Sequence, residues 1–520
     1  MNESWTIAKR EIHSRKGLVS CQNRLAAEAG AAVLARGGNA VDAAVVTALT
    51  LSVVEPWLSG IGGGGFMLRA DGASGEVKAL DFNVVSPATL DPADYPLVPG
   101  NDGDWFDWPS VAGDRNISGY GSICVPGTIA GLAEALQTHG TISFAEALQP
   151  AIDHARRGLA VDWFATLALA VDAANLGRFP ASAEIFLRDG RAPRASDRGA
   201  GFHLPMPAKA RTLERLAEVG ARDFYEGQIA AELVRELRDG GSRIDARDLA
   251  GYRPVWRKPI ELDYASLTIH AMSGLSGGPT MVDALRELSS NLPEENPLSG
   301  QTALTFAKAI RRASEHRLRT LGHASGDSCT THISVVDSTG TMVSLTNTLL
   351  SRFGSKVVLP STGFLMNNGM MWFDPRPGQP NSIAPGVRPL ANMCPFVATR
   401  NGRPALALGA AGGRQIMPAL VQLLSYVAHF GLSLEEAFSS PRIDASGVTI
   451  NVDRRARPDV ATTVARSFPV EIVDDTLYPV KFAIPSAVMR NGDMFIGMAH
   501  PNHPWAAVAT EEDSAKNIET

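Results

Sequence analysis

From Thr331 to Asp337 the chain reads Thr-His-Ile-Ser-Val-Val-Asp, an alternating, β-branched run that predicts a strand. Ser338-Thr339-Gly340 supplies turn chemistry, and Thr341 to Thr346 runs back as a second strand. This hairpin constrains the rest of the chain because Thr330-Thr331 stands at its lip. Left uncut, a threonine pair there is ordinary strand. A cut before Thr330 would place a hydroxyl nucleophile and an α-amine on one residue, and the amine can serve as the base. The unperturbed pKa of that amine, roughly 7.7–8.0, lets it accept a proton near neutral pH, which a lysine does only after a large shift.

The chain has 520 residues, enough for one large core or two to three domains. Its 45% hydrophobic and 20% charged content is that of a soluble globular protein. A net charge of -6 argues against nucleic-acid and membrane-surface partners. Cys21, Cys124, Cys329 and Cys394 are scattered, with no CxxC and no metal spacing, and read as reduced, mostly buried thiols. Residues 1–20 lack an apolar signal core and no stretch is long enough to span a bilayer, so a cytoplasmic location is expected. No metal or organic cofactor is implied. His323, His332, His500 and His503 are dispersed, and His500-Pro501-Asn502-His503 has a ligand-like spacing without a visible third partner.

Along the chain, a strand near Gly17 to Cys21 precedes a helix over Asn23 to Leu34, stopped at Gly37-Gly38. Asn39 N-caps a buried helix, Ala40 to Val53. Gly62 to Gly65 mark close backbone packing, not a dinucleotide fingerprint, and Phe66 to Arg69 with Glu76 to Phe82 form a hairpin. Asp91 to Ser118 reads as an irregular excursion, and residues 144–250 as mostly helical. Trp256 to Ile269 returns to strand. Helices follow at Thr280 to Leu292 and at residues 302–321, whose basic residues read as a solvated face. Gly322 to Ser328 is a small, polar, cleavable connection. Strands are expected at Gly363 to Asn367, Cys394 to Thr399 and Ala405 to Leu408. Gly409 to Arg414 then opens a helix at Ile416; this glycine loop lacks a P-loop's Lys-Ser/Thr, and its N–H groups suit an oxyanion hole. Ser433 to Glu436 is a capping box.

These features together resemble the γ-glutamyltranspeptidase family of N-terminal-nucleophile hydrolases over nearly the whole chain. The stretches that carry the resemblance are Gly37 to Ala44, Ser59 to Met67, Leu80-Asp81-Phe82, Val125 to Thr128, Thr330 to Asp337, Phe364 to Asn368 and Gly412-Gly413. It implies an α+β, four-layer αββα sandwich. It also implies a precursor that cuts itself between Cys329 and Thr330, giving a large subunit 1–329, with its helical excursion at about 144–250, and a small subunit 330–520 within one composite domain. By the same resemblance Thr330 is the nucleophile, Thr348 its hydrogen-bonding partner, and Gly412 and Gly413 the oxyanion-hole pair. The implied partners are a small-molecule substrate, the two processed subunits for each other, and a possible homodimer.

Four positions depart from the family pattern. Asn83 stands where the glutamyl-binding arginine follows Asp-Phe, Leu350 replaces an asparagine, Trp372 falls near the acidic residue that holds the glutamyl amine, and Ala391-Asn392 replaces a serine pair. A buried ammonium without an anionic partner costs several kcal/mol, roughly. A non-glutamyl acyl group follows. Asn367-Asn368-Gly369-Met370 before Phe373 to Gly378 resembles the branch of cephalosporin acylases and oxamate amidohydrolases. Arg352 is the favoured carboxylate clamp, with Arg388 and Arg414 as alternatives. Asn83, Leu350, Arg352, Asn368, Trp372 and Asn392 are therefore the candidate substrate contacts. Trp372 and Leu350 are expected to make the pocket small and apolar. The expected activity is amide hydrolysis or acyl transfer with a small carboxylate-bearing acyl group of the oxamate or oxalyl type. Two alternatives stay open: true γ-glutamyl chemistry on glutathione-like donors, and an unprocessed, non-catalytic binding or biosynthetic accessory protein.

Overall fold

The computed structural model describes residues 7–101, 109–195, 201–293, 296–322, 329–478 and 480–519. Two antiparallel seven-stranded sheets form its centre. One runs Ala507–Thr510, Leu18–Cys21, Cys329–Val336, Met342–Leu350, Gly64–Ala70, Val77–Phe82, Val255–Arg257 from edge to edge. The other runs Ile12–Ser14, Met494–Ala499, Ile484–Asn491, Arg403–Ala411, Phe396–Arg400, Leu267–Ala271, Ile260–Tyr264.

Period-two alternation decides what each face meets. Ile333, Val335, Val343 and Leu345 point into a core shared with the helices Arg24–Ala35, Ala40–Val54, Thr128–His139 and Phe144–Arg157. Val336 and Met342 point the other way, into a core between the sheets with Val397, Ala407 and Val488. The far side of the second sheet, through Ile269, Phe396, Leu406 and Leu408, packs on Gly278–Asn291, Gly300–Thr320 and Ile416–Ala428. The layers are helix, sheet, sheet, helix, the αββα sandwich.

Between the sheets the packing is partly polar. Ser334 Oγ donates to the Ser486 carbonyl at 3.1 Å, Ser344 Oγ to that of Leu408 at 3.2 Å, and Ser20 Oγ to that of Met498 at 2.7 Å. The His332 ring fills the same layer; a Cβ on Gly409 would lie 2.3 Å from it, so only glycine fits there. The glycine run has a similar cause. A Cβ on Gly63 would sit 2.0 Å from the Thr348 carbonyl oxygen, and one on Gly65 2.2 Å from that of Thr346. Asp337 closes the central hairpin: its Oδ1 accepts from Thr339 N at 3.0 Å and Thr341 N at 3.1 Å, and its Oδ2 from Ala40 N at 3.0 Å. Asn39 and Asp42 form a capping box on the helix that begins there.

Several expectations need correction. Gly363 to Asn367 is not a strand; it touches its neighbours through two isolated bridges, Val358 with Leu365 and Gly62 with Met366. The excursion before Ser118 contains a short hairpin, Leu97–Asn101 with Pro109–Val111. The basic helix is not wholly solvated. Arg317 is half-buried and donates to the carbonyls of Ser276 and Ala391, each at 3.0 Å, and to Asn392 Oδ1 at 3.2 Å. The connection over 323–328, with His323, lies outside the described residues. Cys21, Cys124 and Cys394 are free and buried. No helix among the described residues is long and apolar enough to cross a membrane.

Candidate active site

Thr330 and Thr348 face each other across the hairpin, and Cys329 pairs with Leu350, so the register shifts at the Cys329–Thr330 bond. Thr330 Oγ1 donates to Thr348 Oγ1 at 3.3 Å, and Thr348 Oγ1 also accepts from Leu350 N at 2.8 Å. Leu350 has φ +85°, a conformation that L residues avoid. Strain of this kind costs roughly 1–3 kcal/mol and here lies directly opposite the expected cut.

Thr330 lines a cavity of about 470 Å³ together with Ala411 and Gly412 from the facing sheet. Gly412 has φ +131°, and an added Cβ would approach Ala483 Cα to 2.9 Å, so only glycine is accommodated. Gly412 and Gly413 start the turn Gly413–Gln415 that runs into Ile416–Ala428. Helix-starting N–H groups lack intrahelical partners and carry the positive end of the helix dipole. An oxygen held near Thr330 would meet that end.

The charged wall comes from two elements. Asp172 lies in the helix Trp163–Leu176, and Arg352 and Lys356 follow the second hairpin strand. Arg352 Nε lies 3.6 Å from Asp172 Oδ2, and Lys356 Nζ 3.4 Å from Asp172 Oδ1. Two cations share this one carboxylate. The Arg352 guanidinium also lies over the Tyr478 ring, 5.3 Å from its centroid. Trp57, Leu58, Phe164, Leu167 and Val171 supply the apolar surface.

A third group of residues closes the cavity. His500 Nε2 lies 3.6 Å from Asp475 Oδ2, and His503 Nε2 lies 3.6 Å from Glu55 Oε1. Desolvation holds the His503 imidazole down to about 3 and that of His500 well below its usual value. Burial pushes the Glu55 carboxyl well up, against the opposing pull of Arg352. Asp475 is also raised by burial; Asn502 Nδ2 donates to it at 2.9 Å and Arg455 stands 3.9 Å away. His332, also held down to about 3 by burial, bonds Thr346 and Ser334 through its two ring nitrogens. Among the described residues no group of three His, Cys, Asp or Glu is arranged to hold a metal.

The structure brings Thr330, Thr348, Gly412, Gly413 and Arg352 together and separates the other predicted contacts from the cavity. Trp372 and Leu350 are fully buried in the core between the sheets, so they neither shrink nor line it. Asn83 is buried and spends its amide on the Pro389 carbonyl at 3.1 Å and on Val84 N at 2.9 Å. Asn392 is held by Arg317. Asn368 acts one step back: Ser351 N donates to its Oδ1 at 3.0 Å and its Nδ2 donates to Ser351 Oγ at 2.8 Å, which fixes a residue that does line the cavity. Arg388 is paired with Asp81 at 3.3 Å, and neither it nor Arg414 lines the cavity. Sequence reasoning missed Gln22, Glu55, Asp172, Lys356 and Asp475. The available signal was acidic residues inside apolar runs, Val53-Val54-Glu55 and Ala170-Val171-Asp172.

Comparison with known proteins agrees with this geometry. The family model described as Gamma-glutamyltranspeptidase matches residues 26–328 and 298–510. An Acylase ACY 1 proenzyme of Pseudomonas sp. (strain V22) is 31% identical over 507 residues, covering 90% of this chain and 89% of its own. A Glutathione hydrolase proenzyme of Escherichia coli (strain K12) is 29% identical over 492 residues, covering 83% of this chain and 81% of its own. The crystal structure of cephalosporin acylase from Bacillus halodurans superposes with a TM-score of 0.84 at 24% identity, over 98% of each chain, a likeness of fold. The chain belongs to the gamma-glutamyltranspeptidase family of enzymes.

Proposed function

We propose that this enzyme cuts itself before Thr330 and then hydrolyses an amide whose acyl group carries a carboxylate. In the first step Thr330 Oγ1 attacks the Cys329 carbonyl carbon, the Cys329–Thr330 C–N bond breaks, and the hydroxyl proton passes to the departing nitrogen. Water then hydrolyses the resulting ester, leaving Cys329 with a carboxylate and Thr330 with a free hydroxyl and α-amine. In turnover that amine takes the Oγ1 proton as the oxygen attacks the substrate carbonyl, and it hands the proton to the leaving amine. Water, or an acceptor amine, then releases the acyl group. Gly412 and Gly413 serve as oxyanion donors, each worth roughly 10²–10³ in rate. Thr348 holds the nucleophilic hydroxyl in place.

One observation carries the substrate class: Arg352 and Lys356 share a single carboxylate, Asp172, on the wall of the cavity that Thr330 lines. A substrate carboxylate would balance the second cation. Asp475 is already engaged by Asn502 and Arg455, so it offers little to a substrate ammonium, which favours a non-glutamyl donor. Oxamate or another oxalyl amide fits the chemistry. The cavity's size and its Trp57, Phe164 and Leu167 lining suit a longer acyl chain as well.

The test is a panel of amides offered to freshly purified wild type and Thr330→Ala: oxamate, succinyl, glutaryl and γ-glutamyl 4-nitroanilides. Turnover of a diacid amide by wild type alone is expected. Preferential cleavage of the γ-glutamyl anilide would replace this reading with glutathione-type chemistry.

A further inference from the structure

Three buried side chains on the cavity wall, Gln22, His500 and His503, each have one polar atom without a hydrogen-bond partner among the described residues; Gln22 and His503 carry the argument. Gln22, 0% exposed, follows the strand Leu18–Cys21 and folds toward the nucleophile strand. Its Oε1 accepts from His332 N at 3.0 Å, which fixes the orientation of the amide. Its Nε2 therefore faces away from that bond, lacks a hydrogen-bond partner among the described residues, and belongs to a cavity-lining residue bonded to His332, two residues after Thr330. His503, 4% exposed, presents an unpartnered Nδ1 on the same cavity, its ring edge-on to Phe164 at 5.0 Å. Behind His503 lies Glu55, whose two carboxyl oxygens also lack partners among the described residues. Buried polar atoms are almost always satisfied, so the orphans Gln22 Nε2 and His503 Nδ1 on one cavity, with His500 Nδ1 a third, point to a ligand.

We infer that Gln22 and His503, backed by Glu55, form a second polar subsite that takes an uncharged hydrogen-bonding group, a hydroxyl or an amide, next to the scissile carbonyl of the substrate. This inference rests on the Thr330 amidase reading and adds to it the chemistry of the acyl chain. Gln22 Nε2 donates to the group's oxygen, and His503 Nδ1 completes the contact. The subsite favours an uncharged group because burial holds His503 neutral and pushes the Glu55 carboxyl toward its neutral form, so an ion entering there would lose its hydration without a counter-charge. The substrate carboxylate goes to Arg352 and Lys356 instead.

The experiment compares glutaryl 4-nitroanilide with the analogue bearing a hydroxyl on the carbon next to the scissile carbonyl. Processed wild type, Gln22→Glu, Gln22→Met and His503→Phe are used, with processing checked by mass. Gln22→Glu keeps an acceptor for His332 N and replaces the donor with a carboxylate oxygen, while Gln22→Met removes both polar atoms without adding charge, so agreement of the two separates the lost donor from charge and folding. Wild type should prefer the hydroxylated anilide in kcat/KM by about 3- to 10-fold, the worth of one neutral hydrogen bond. Both Gln22 variants should bring the ratio near one, mainly through KM. An unselective wild type, or a ratio unchanged in the Gln22 variants, overturns the subsite. Failure to cleave either anilide would count against the amidase reading instead. The same proteins would then be read by the thermal shift that glutarate and 2-hydroxyglutarate produce, where a preference lost in Gln22→Glu supports the subsite and equal shifts refute it.

Discussion

Replacing Arg352 with methionine removes one of two cations that share Asp172 and keeps most of the side chain's apolar volume. The guanidinium stands 3.6 Å from Asp172, and Lys356 stands 3.4 Å from the other carboxylate oxygen. With Arg352 gone, Lys356 and Asp172 balance each other and nothing is left for a substrate carboxylate. A unit charge pair at about 4 Å and an effective dielectric near 20 is worth about 4 kcal/mol gross. Competition from Asp172 and side-chain ordering bring this toward the 1.5–3 kcal/mol of a charge-assisted hydrogen bond, roughly 10- to 150-fold in kcat/KM. The assay compares glutaryl 4-nitroanilide with butyryl 4-nitroanilide, which lacks the carboxylate. Arg352→Met should lower the charged-to-neutral preference by that factor. Asp172→Asn, which releases a cation from its partner, should raise it. An equal loss on both anilides would refute the clamp and make Arg352 a packing residue.

Two further predictions concern the precursor and the buried histidines. Leu350→Gly removes the left-handed strain opposite the Cys329–Thr330 bond and should slow self-cleavage, by about 5- to 150-fold if a strain of roughly 1–3 kcal/mol is fully released at the cut. A gel time course reads it, and unchanged or faster cleavage contradicts it. His332 and His503, with folded values of about 3, and His500, also held well below its usual value by burial, contribute stability that is complete above about pH 6.5 and is lost as pH falls toward the folded values. Each weakens the fold by about 1.4 kcal/mol per pH unit across that window, so Tm should fall steeply below about pH 6. Glu55, raised by burial, acts in reverse: its contribution is full below about pH 4.5 and is lost as pH rises through its folded value. Glu55→Gln should therefore gain more in Tm at pH 8 than at pH 5.

The hairpin and its two threonines were legible because strand period and turn chemistry are local, and the structure keeps both. The helix at Ala40 was legible from its cap for the same reason. The cavity was not, because it is assembled from residues hundreds of positions apart. Gln22, Asp172 and His503 share no spacing, and only the tertiary fold brings them to Thr330's cavity, with Glu55 behind His503. Trp372 and Leu350 misled in the opposite sense. Each stands at a position where the family pattern changes, yet both point into the core between the sheets. Gly363 to Asn367 has strand composition, but Asn367 draws the segment elsewhere: its Nδ2 donates to the Gly62 and Cys124 carbonyls, each at 2.8 Å, in place of a ladder.

The central claim is that Thr330 becomes the N-terminus of a second subunit and acts as the nucleophile. Intact mass of freshly purified wild type beside Thr330→Ala tests it most directly. Two fragments in wild type, the smaller beginning at Thr330, with one uncut chain in the variant, is the predicted result. A single chain in both would contradict it and favour a non-catalytic, ligand-binding protein on the same fold.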